Sequence, residues 1–275
     1  MNSVEEWSGK DRADENFPVG SFLIRTDLRA HVHAFYAFAR NADDIADSPS
    51  LPPDDKIFRL GVMEDVLLGK RDDGSPSALG LRASLARTGV SANHSTDLLI
   101  AFRQDATKNR YANWDELLQY CRYSAMPVGR HVLDLHGEDD QTRPSSDALC
   151  ASLQVLNHLQ DCQKDFRQLD RSYLPGDLLA RLGGSADDVT KTQETVALTG
   201  VFANLLDRVD VLNIAAMQLP RHVRDRRLRL ETAVIVNLAR RLTRRLRQGD
   251  PIARRIKLTK TDAVFSLLGA MRFLP

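Results

Sequence analysis

Residues 154–165 read Gln154-Val155-Leu156-Asn157-His158-Leu159-Gln160-Asp161-Cys162-Gln163-Lys164-Asp165. Gln154, Asn157, Asp161 and Asp165 recur at spacings of three and four, which on an α-helix gathers them into one polar stripe three turns long. Leu153, Val155, Leu156 and Leu159 flank that stripe. A second stretch, Arg40-Asn41-Ala42-Asp43-Asp44-Ile45-Ala46-Asp47, repeats the Asp-x-x-x-Asp spacing. Its upstream face, with Val32, Phe35, Tyr36, Phe38, Ala39 and Ala42, is apolar and aromatic. Asp43 and Asp47 lie one turn apart, where like charges repel by about a few tenths of a kcal/mol. A helix C-terminus is also an unfavourable place for anions. A chain that keeps both carboxylates against these penalties is suited to holding a cation; the plain alternative is a solvated helix end.

Outward from these two stretches, apolar residues recur at three- and four-residue spacing almost throughout. The pattern predicts helices over 29–46, 55–68, 78–88, 93–107, 113–135, 146–169, 191–218, 227–248 and 262–272. Turn-rich connections separate them, including Ser48-Pro49-Ser50-Leu51-Pro52-Pro53 and Asp72-Asp73-Gly74-Ser75-Pro76. No segment has sustained period-two alternation, and no linker is long enough to divide the chain. The expectation is one all-α helical bundle over residues 1–275, with 1–15 flexible. In such a bundle chemistry is built from side chains that project between facing helices.

The composition narrows the classes further. With 43% hydrophobic residues the 275-residue chain can bury a large core. Lys plus Arg number 38 against 37 Asp plus Glu, which speaks against a nucleic-acid binder. The balance is local, however: residues 221–260 hold 14 Lys/Arg against Asp225, Glu231 and Asp250, a net of +11. Cys121, Cys150 and Cys162 are too scattered for a disulfide framework or a zinc site. The polar, acidic start of the chain is no signal peptide, and no apolar run approaches the ~20 residues of a membrane span. The expected location is the cytoplasm, with peripheral contact at the inner membrane surface. His31, His33, His131, His136 and His158 lack metal-ligand spacing and read as structural. Gly183-Gly184 follows no strand and is a turn.

Two facing carboxylate clusters point to diphosphate chemistry. Mg²⁺ takes hard oxygen ligands and is commonly held by one or two carboxylates together with substrate phosphates. Ions held so neutralise a leaving diphosphate and allow an allylic or cyclopropylcarbinyl carbon–oxygen bond to ionise. An apolar helical cavity would keep water from the carbocation.

These blocks resemble the squalene/phytoene synthase family. Phe35 to Asp47 is similar to its first aspartate-rich block and Tyr120-Cys121-Arg122-Tyr123-Ser124-Ala125-Met126-Pro127-Val128-Gly129 to its central signature. Gln154 to Asp165, followed by Arg171-Ser172-Tyr173-Leu174-Pro175, is similar to the second aspartate-rich block. The resemblance implies the trans-isoprenyl diphosphate synthase fold with a central cavity. Within the family the chain is similar to the bacterial hopanoid branch that turns presqualene diphosphate and water into hydroxysqualene and diphosphate. Asn16 to Ser21, Ser124 to Arg130, Arg226 to Glu231 and Asp250 to Ala253 carry that likeness. Its implied cofactor is Mg²⁺. Its implied partners are a presqualene diphosphate synthase upstream and a flavin-dependent hydroxysqualene reductase downstream.

Roles follow from the same resemblance. Asp43, Asp47, Asp161 and Asp165 match Mg²⁺–diphosphate ligands, with Asp44 contributing less. Gln154 and Asn157 match polar residues at the same mouth, where both are expected to contact metal water or phosphate oxygen, and Asn157 is also expected among the metal ligands. Arg40 and Arg171 match residues that steady the diphosphate. Tyr36, Tyr120 and Tyr173 match positions near the reacting carbon, and Ser21 and Phe22 match a pair at the mouth.

Two positions depart from the pattern. Gln160 stands where many relatives have arginine, and its expected effect is to remove a cation beside the second block. Pro127 falls inside the helix expected at 113–135, where it would delete a hydrogen bond and bend the chain. Such a bend widens the cavity near Tyr123 or exposes a carbonyl toward the quenching water. Two other functions compete with the main reading: head-to-head condensation of two prenyl diphosphates on the same fold, and a non-catalytic helical assembly factor. The basic stretch 221–260 is expected to lie against anionic headgroups.

Overall fold

The computed structural model describes residues 3–5 and 24–273. These contain twelve α-helices and no β-strand, only an isolated bridge between Arg110 and Ser172. The helices are α1 (Arg29–Asp47), α2 (Pro53–Leu67), α3 (Pro76–Thr88), α4 (Asn93–Asp105), α5 (Trp114–Ser124) and α6 (Met126–Leu135). They continue as α7 (Arg143–Leu169), α8 (Gly176–Arg181), α9 (Val196–Ala216), α10 (Leu219–His222), α11 (Arg226–Gln248) and α12 (Lys260–Ala270).

Local chemistry sets most of the boundaries. Pro53 and Pro76 sit in first turns, where a missing N–H removes no helical bond. The Ser75 hydroxyl accepts from the Ala78 N–H, and Gly89 closes α3 in the left-handed region at φ 73°. Asn113, Asp225 and Thr259 cap α5, α11 and α12 in the same way. Glu5 also reaches this part of the fold: its carboxylate accepts from the Ser77 N–H at 2.8 Å, above the start of α3. The remaining residues expected to be flexible at the N-terminus lie outside the described residues, as do Ser21 and Phe22.

The helix expected over 113–135 is in fact two. Ala125 leaves the helical region (φ −131°, ψ −46°), and Pro127 falls in the first turn of α6. Pro127 therefore starts a helix rather than bending one, and deletes no interior hydrogen bond. The apolar periodicity runs on across the break, which is why spacing alone joined the two.

The core forms two apolar clusters. One gathers α1 to α4 around Phe38, Ile45, Leu60, Met63, Leu81 and Leu99. The other gathers α5, α7, α9 and α11 around Leu117, Leu156, Leu159, Val201, Leu205 and Leu242. Helix α6 touches both, with Leu133 in the second cluster and Leu135 in the first. Gly129 lets α6 close on α7: a Cβ there would lie 2.4 Å from Ser146 Oγ and 2.7 Å from Cys150 Sγ.

A buried polar chain ties three helices of the second cluster. Ser152 on α7 donates to Asn213 Oδ1 at 2.7 Å, and Asn213 on α9 donates to Thr243 Oγ1 on α11 at 3.0 Å. The Ser152 hydroxyl has that amide as its acceptor, whereas the Thr243 hydroxyl also donates to the Ala239 carbonyl at 2.9 Å. Asn213→Ala is expected to lower unfolding free energy by about 1–3 kcal/mol, since it leaves buried partners unsatisfied. Urea denaturation of the variant beside the parent chain measures this.

Candidate active site

Helices α1 and α7 each change character along their length, at the same level. On α1, Val32, Phe35, Tyr36 and Ala39 line an apolar cavity of about 340 Å³. The next turns, with Arg40, Asp43, Asp44 and Asp47, line a polar cavity of about 530 Å³. On α7, Ser146, Leu149, Cys150 and Leu153 line the apolar cavity. Gln154, Asn157, His158, Asp161 and Asp165 then line the polar one. The two helices run in the same sense along the pair of cavities, and the polar space lies between the two core clusters.

Eleven of the site residues expected from sequence thus meet at one place: Arg40, Asp43, Asp44, Asp47, Tyr120, Gln154, Asn157, Asp161, Asp165, Arg171 and Tyr173. Tyr36 does not join them; it lines the apolar cavity instead.

Arginines hold most of these carboxylates. Arg40 lies 2.5 Å from Asp44 and 3.1 Å from Asp43, one turn along its own helix. Arg171, buried, donates to Asp47 at 2.9 Å, to the Asp105 carbonyl at 2.9 Å and to the Tyr173 hydroxyl at 3.2 Å. Arg255 lies 2.6 Å from Asp161. Burial opposes the charge on Arg171, but Tyr173, Asp105 and Asp47 outweigh it and push its pKa up.

Two carboxyls are held far above the usual range. Asp105 rises to about 7, chiefly through burial, against the pull of Arg171 and the Tyr120 hydroxyl that donates to it at 2.8 Å. Asp165 rises to about 7 through burial and then through the charges of Asp161 and Asp47. The His158 ring stacks on Tyr173 with centroids 3.4 Å apart, and burial lowers its pKa to about 3. It is therefore a neutral ring in the wall of the polar cavity. Its Nε2, like Asp105 Oδ1, is buried with no hydrogen-bond partner among the described residues.

Sequence reasoning missed four contributors. Asp105 has a visible signal: Leu98, Ala101, Phe102 and Asp105 share the inward stripe of α4, so a carboxyl was bound to be buried. His158 follows Asn157 on α7 and read only as structural. Lys164 also lines the polar cavity. Arg255 reaches Asp161 across 94 residues, a pairing with no local signal. Gln160 needs correction. It turns away from the cavity to the backbone carbonyl of Ile256. Its neighbour Asp161 meets a cation all the same, from Arg255.

A family model described as squalene/phytoene synthase matches residues 10–262. The chain belongs to the squalene/phytoene synthase family. Among its relatives, the hydroxysqualene synthase of Rhodopseudomonas palustris is 46% identical over 272 residues, covering 98% of this chain and 93% of that protein. The hydroxysqualene synthase of Sinorhizobium fredii is 45% identical over 258 residues, covering 94% and 88%. The crystal structure of squalene synthase HpnC from Alicyclobacillus acidocaldarius superposes with a TM-score of 0.75 at 30% identity, covering 86% of this chain and 90% of that one. The all-α architecture expected from spacing is thus the architecture of this family.

The raised pKa of Asp165 sets a pH dependence for the metal-free protein. A carboxyl whose folded pKa exceeds its unfolded value favours the fold below the unfolded value, and that support is lost as pH rises through about 7. Asp165→Asn is therefore expected to raise the Tm in chelator at pH 8, and to raise it less at pH 5. Thermal unfolding at the two pH values checks the sign.

Proposed function

We propose that this chain is a hydroxysqualene synthase, converting presqualene diphosphate and water to hydroxysqualene and diphosphate. One observation carries the reading: a carboxylate-lined space and an apolar space occupy successive turns of the same two helices. A substrate with a charged diphosphate and long hydrocarbon arms has the same division. The names of the near-full-length relatives support the choice within the family.

The carboxylates fit Mg²⁺ as the cofactor. The donors are hard oxygens, and Asp165 carries an excess of neighbouring negative charge that a cation would relieve. No three His, Cys, Asp or Glu side chains converge into a ready-made cage among the described residues. Asp43, Asp47, Asp161 and Asp165 would hold the ions with phosphate oxygens completing the shell, and Asn157 and Asp44 would add to it. Bound there, Mg²⁺ would supply positive charge against a departing diphosphate.

The chain's own residues do the rest. Arg40, Arg171 and Lys164 bring positive charge to the same mouth and orient the diphosphate. As the carbon–oxygen bond breaks, its electron pair leaves with the diphosphate. The arms lie against Phe35, Tyr36, Leu149 and Leu153, which exclude water from the cation. Tyr120, Tyr173 and the neutral His158 ring line the polar space, and the tyrosine π-faces would stabilise positive charge without capturing it. The cyclopropylcarbinyl cation then rearranges with ring opening, and water adds its oxygen to the resulting cation and gives up one proton to the released diphosphate. A synthase that joins two farnesyl diphosphates would supply the substrate, and a flavin-dependent reductase would consume the alcohol, as in hopanoid biosynthesis. The reading places the chain in the cytoplasm with the inner membrane surface near its basic stretch 221–260.

Purified protein is expected to release diphosphate and hydroxysqualene from presqualene diphosphate, to stop in chelator and to recover with Mg²⁺. Asp43→Asn is expected to lower turnover by about 10²-fold or more, in line with loss of an electrostatic stabiliser. Formation of presqualene diphosphate or phytoene from prenyl diphosphates alone would replace this reading with head-to-head condensation.

A further inference from the structure

Helix α12 is built with its large apolar side chains outward. Asp262, Ser266 and Ala270, at successive spacings of four, are the face it buries against α11. Val264, Phe265, Leu268 and Met271 point the other way and are 57%, 52%, 55% and 52% exposed. An isolated exposed leucine needs no explanation, but a contiguous apolar face on one helix marks a contact with something apolar.

Beside this face lies a basic groove of about 290 Å³. Arg240, Arg241 and Arg244 of α11 line one side, and Phe265 and Arg272 the other. Asp262 is already engaged by Arg245 at 2.7 Å and by Arg241 at 3.6 Å. Arg240 and Arg244 have no acidic partner among the described residues. The rest of the basic stretch 221–260 does not form one surface. Arg247 pairs with Asp207 and Asp210, Arg255 with Asp161, and Arg229 donates to the Val223 carbonyl. Arg240 and Arg244 thus bring unpaired positive charge to the edge of the apolar face.

We propose that α12 and this groove form a membrane-docking surface that takes an anionic phospholipid bilayer. The helix lies in the interface with Val264, Phe265, Leu268 and Met271 among the acyl chains, and the arginines bind headgroup phosphates. An apolar stripe flanked by arginines is the composition that an interfacial helix requires. Charge decides against a second copy of this chain. A two-fold pairing through α12 would set each basic groove beside its equivalent, and like charges in juxtaposition oppose association. The inference rests on the proposed function in one respect: substrate and product of that reaction are lipids, and a docked enzyme can exchange both with a bilayer.

Vesicle flotation of the full chain tests this, with phosphatidylcholine alone and with added phosphatidylglycerol. The chain is expected to float only with phosphatidylglycerol, and less as salt is raised. Arg240→Gln with Arg244→Gln is expected to weaken binding by about 20-fold, near five-fold for each arginine. Phe265→Ser with Leu268→Ser is expected to weaken it on the order of ten-fold or more, through lost apolar burial. Both variants should keep parental turnover in detergent, which shows that they fold. Parental flotation by either variant would overturn the proposal. So would a lipid-free dimer, seen by sedimentation velocity, that the Phe265→Ser, Leu268→Ser variant dissolves. A chain that floats but leaves presqualene diphosphate unconverted in detergent would sink the function reading and keep this one.

Discussion

The guanidinium of Arg171 joins the ends of two helices to its own segment. It reaches Asp47 at the end of α1, the Asp105 carbonyl at the end of α4, and the Tyr173 hydroxyl in its own segment. Asp47 and Asp105 belong to helices of the first apolar cluster, while Tyr173 packs in the second. Two cores that each exclude water are thus bridged by one buried cation with several acceptors. Such a group is tolerated inside because both terminal nitrogens are hydrogen-bonded and its Nε, without a hydrogen bond, lies 3.8 Å from the Asp105 carboxylate; removing these partners would leave an uncompensated charge.

The same bridge explains how so much negative charge is kept in one space. Coulomb repulsion among carboxylates across a partly dry cavity would drive α1 and α7 apart if nothing opposed it. Here Arg40, Arg171 and Arg255 come from three separate places in the chain and each engages a different aspartate. Asp165 has no such arginine, and burial together with the charges of Asp161 and Asp47 raises its pKa to about 7. The apolar clusters on either side supply the stiffness. Helices packed at crystal-like density do not shift to relieve an unfavourable charge.

Much of this was legible in the residues themselves. The polar stripe of α7 stands out because a helix samples its own face every three or four positions, so four inward polar side chains are hard to miss. Asp43 and Asp47 announce themselves by the same geometry. What the spacing could not carry was anything made by tertiary contact. Arg255 finds Asp161 only because the loop after α11 folds back on α7. Gln160 turns to a backbone carbonyl, which no property of an amide side chain predicts. The break at Ala125 is invisible to hydrophobic periodicity, because α5 and α6 both keep their apolar faces inward. Pro127 was a better guide than it was taken for, since proline is at home in a first helical turn. In the basic stretch 221–260, charge counted along the chain says nothing of which cations are already engaged: Arg245, Arg247 and Arg255 meet carboxylates that the sequence does not place beside them.

Gln160 and Asp161, adjacent on α7, both hold the segment that follows α11, one at the Ile256 carbonyl and the other at Arg255. That segment runs directly into α12 at Lys260. Four residues lie between Arg255 and the helix, so the five steps to Lys260 reach at most ~18 Å when extended. The carboxylate mouth and the outward apolar face are therefore fastened to opposite ends of one short tether, and neither can be repositioned without tension on the other.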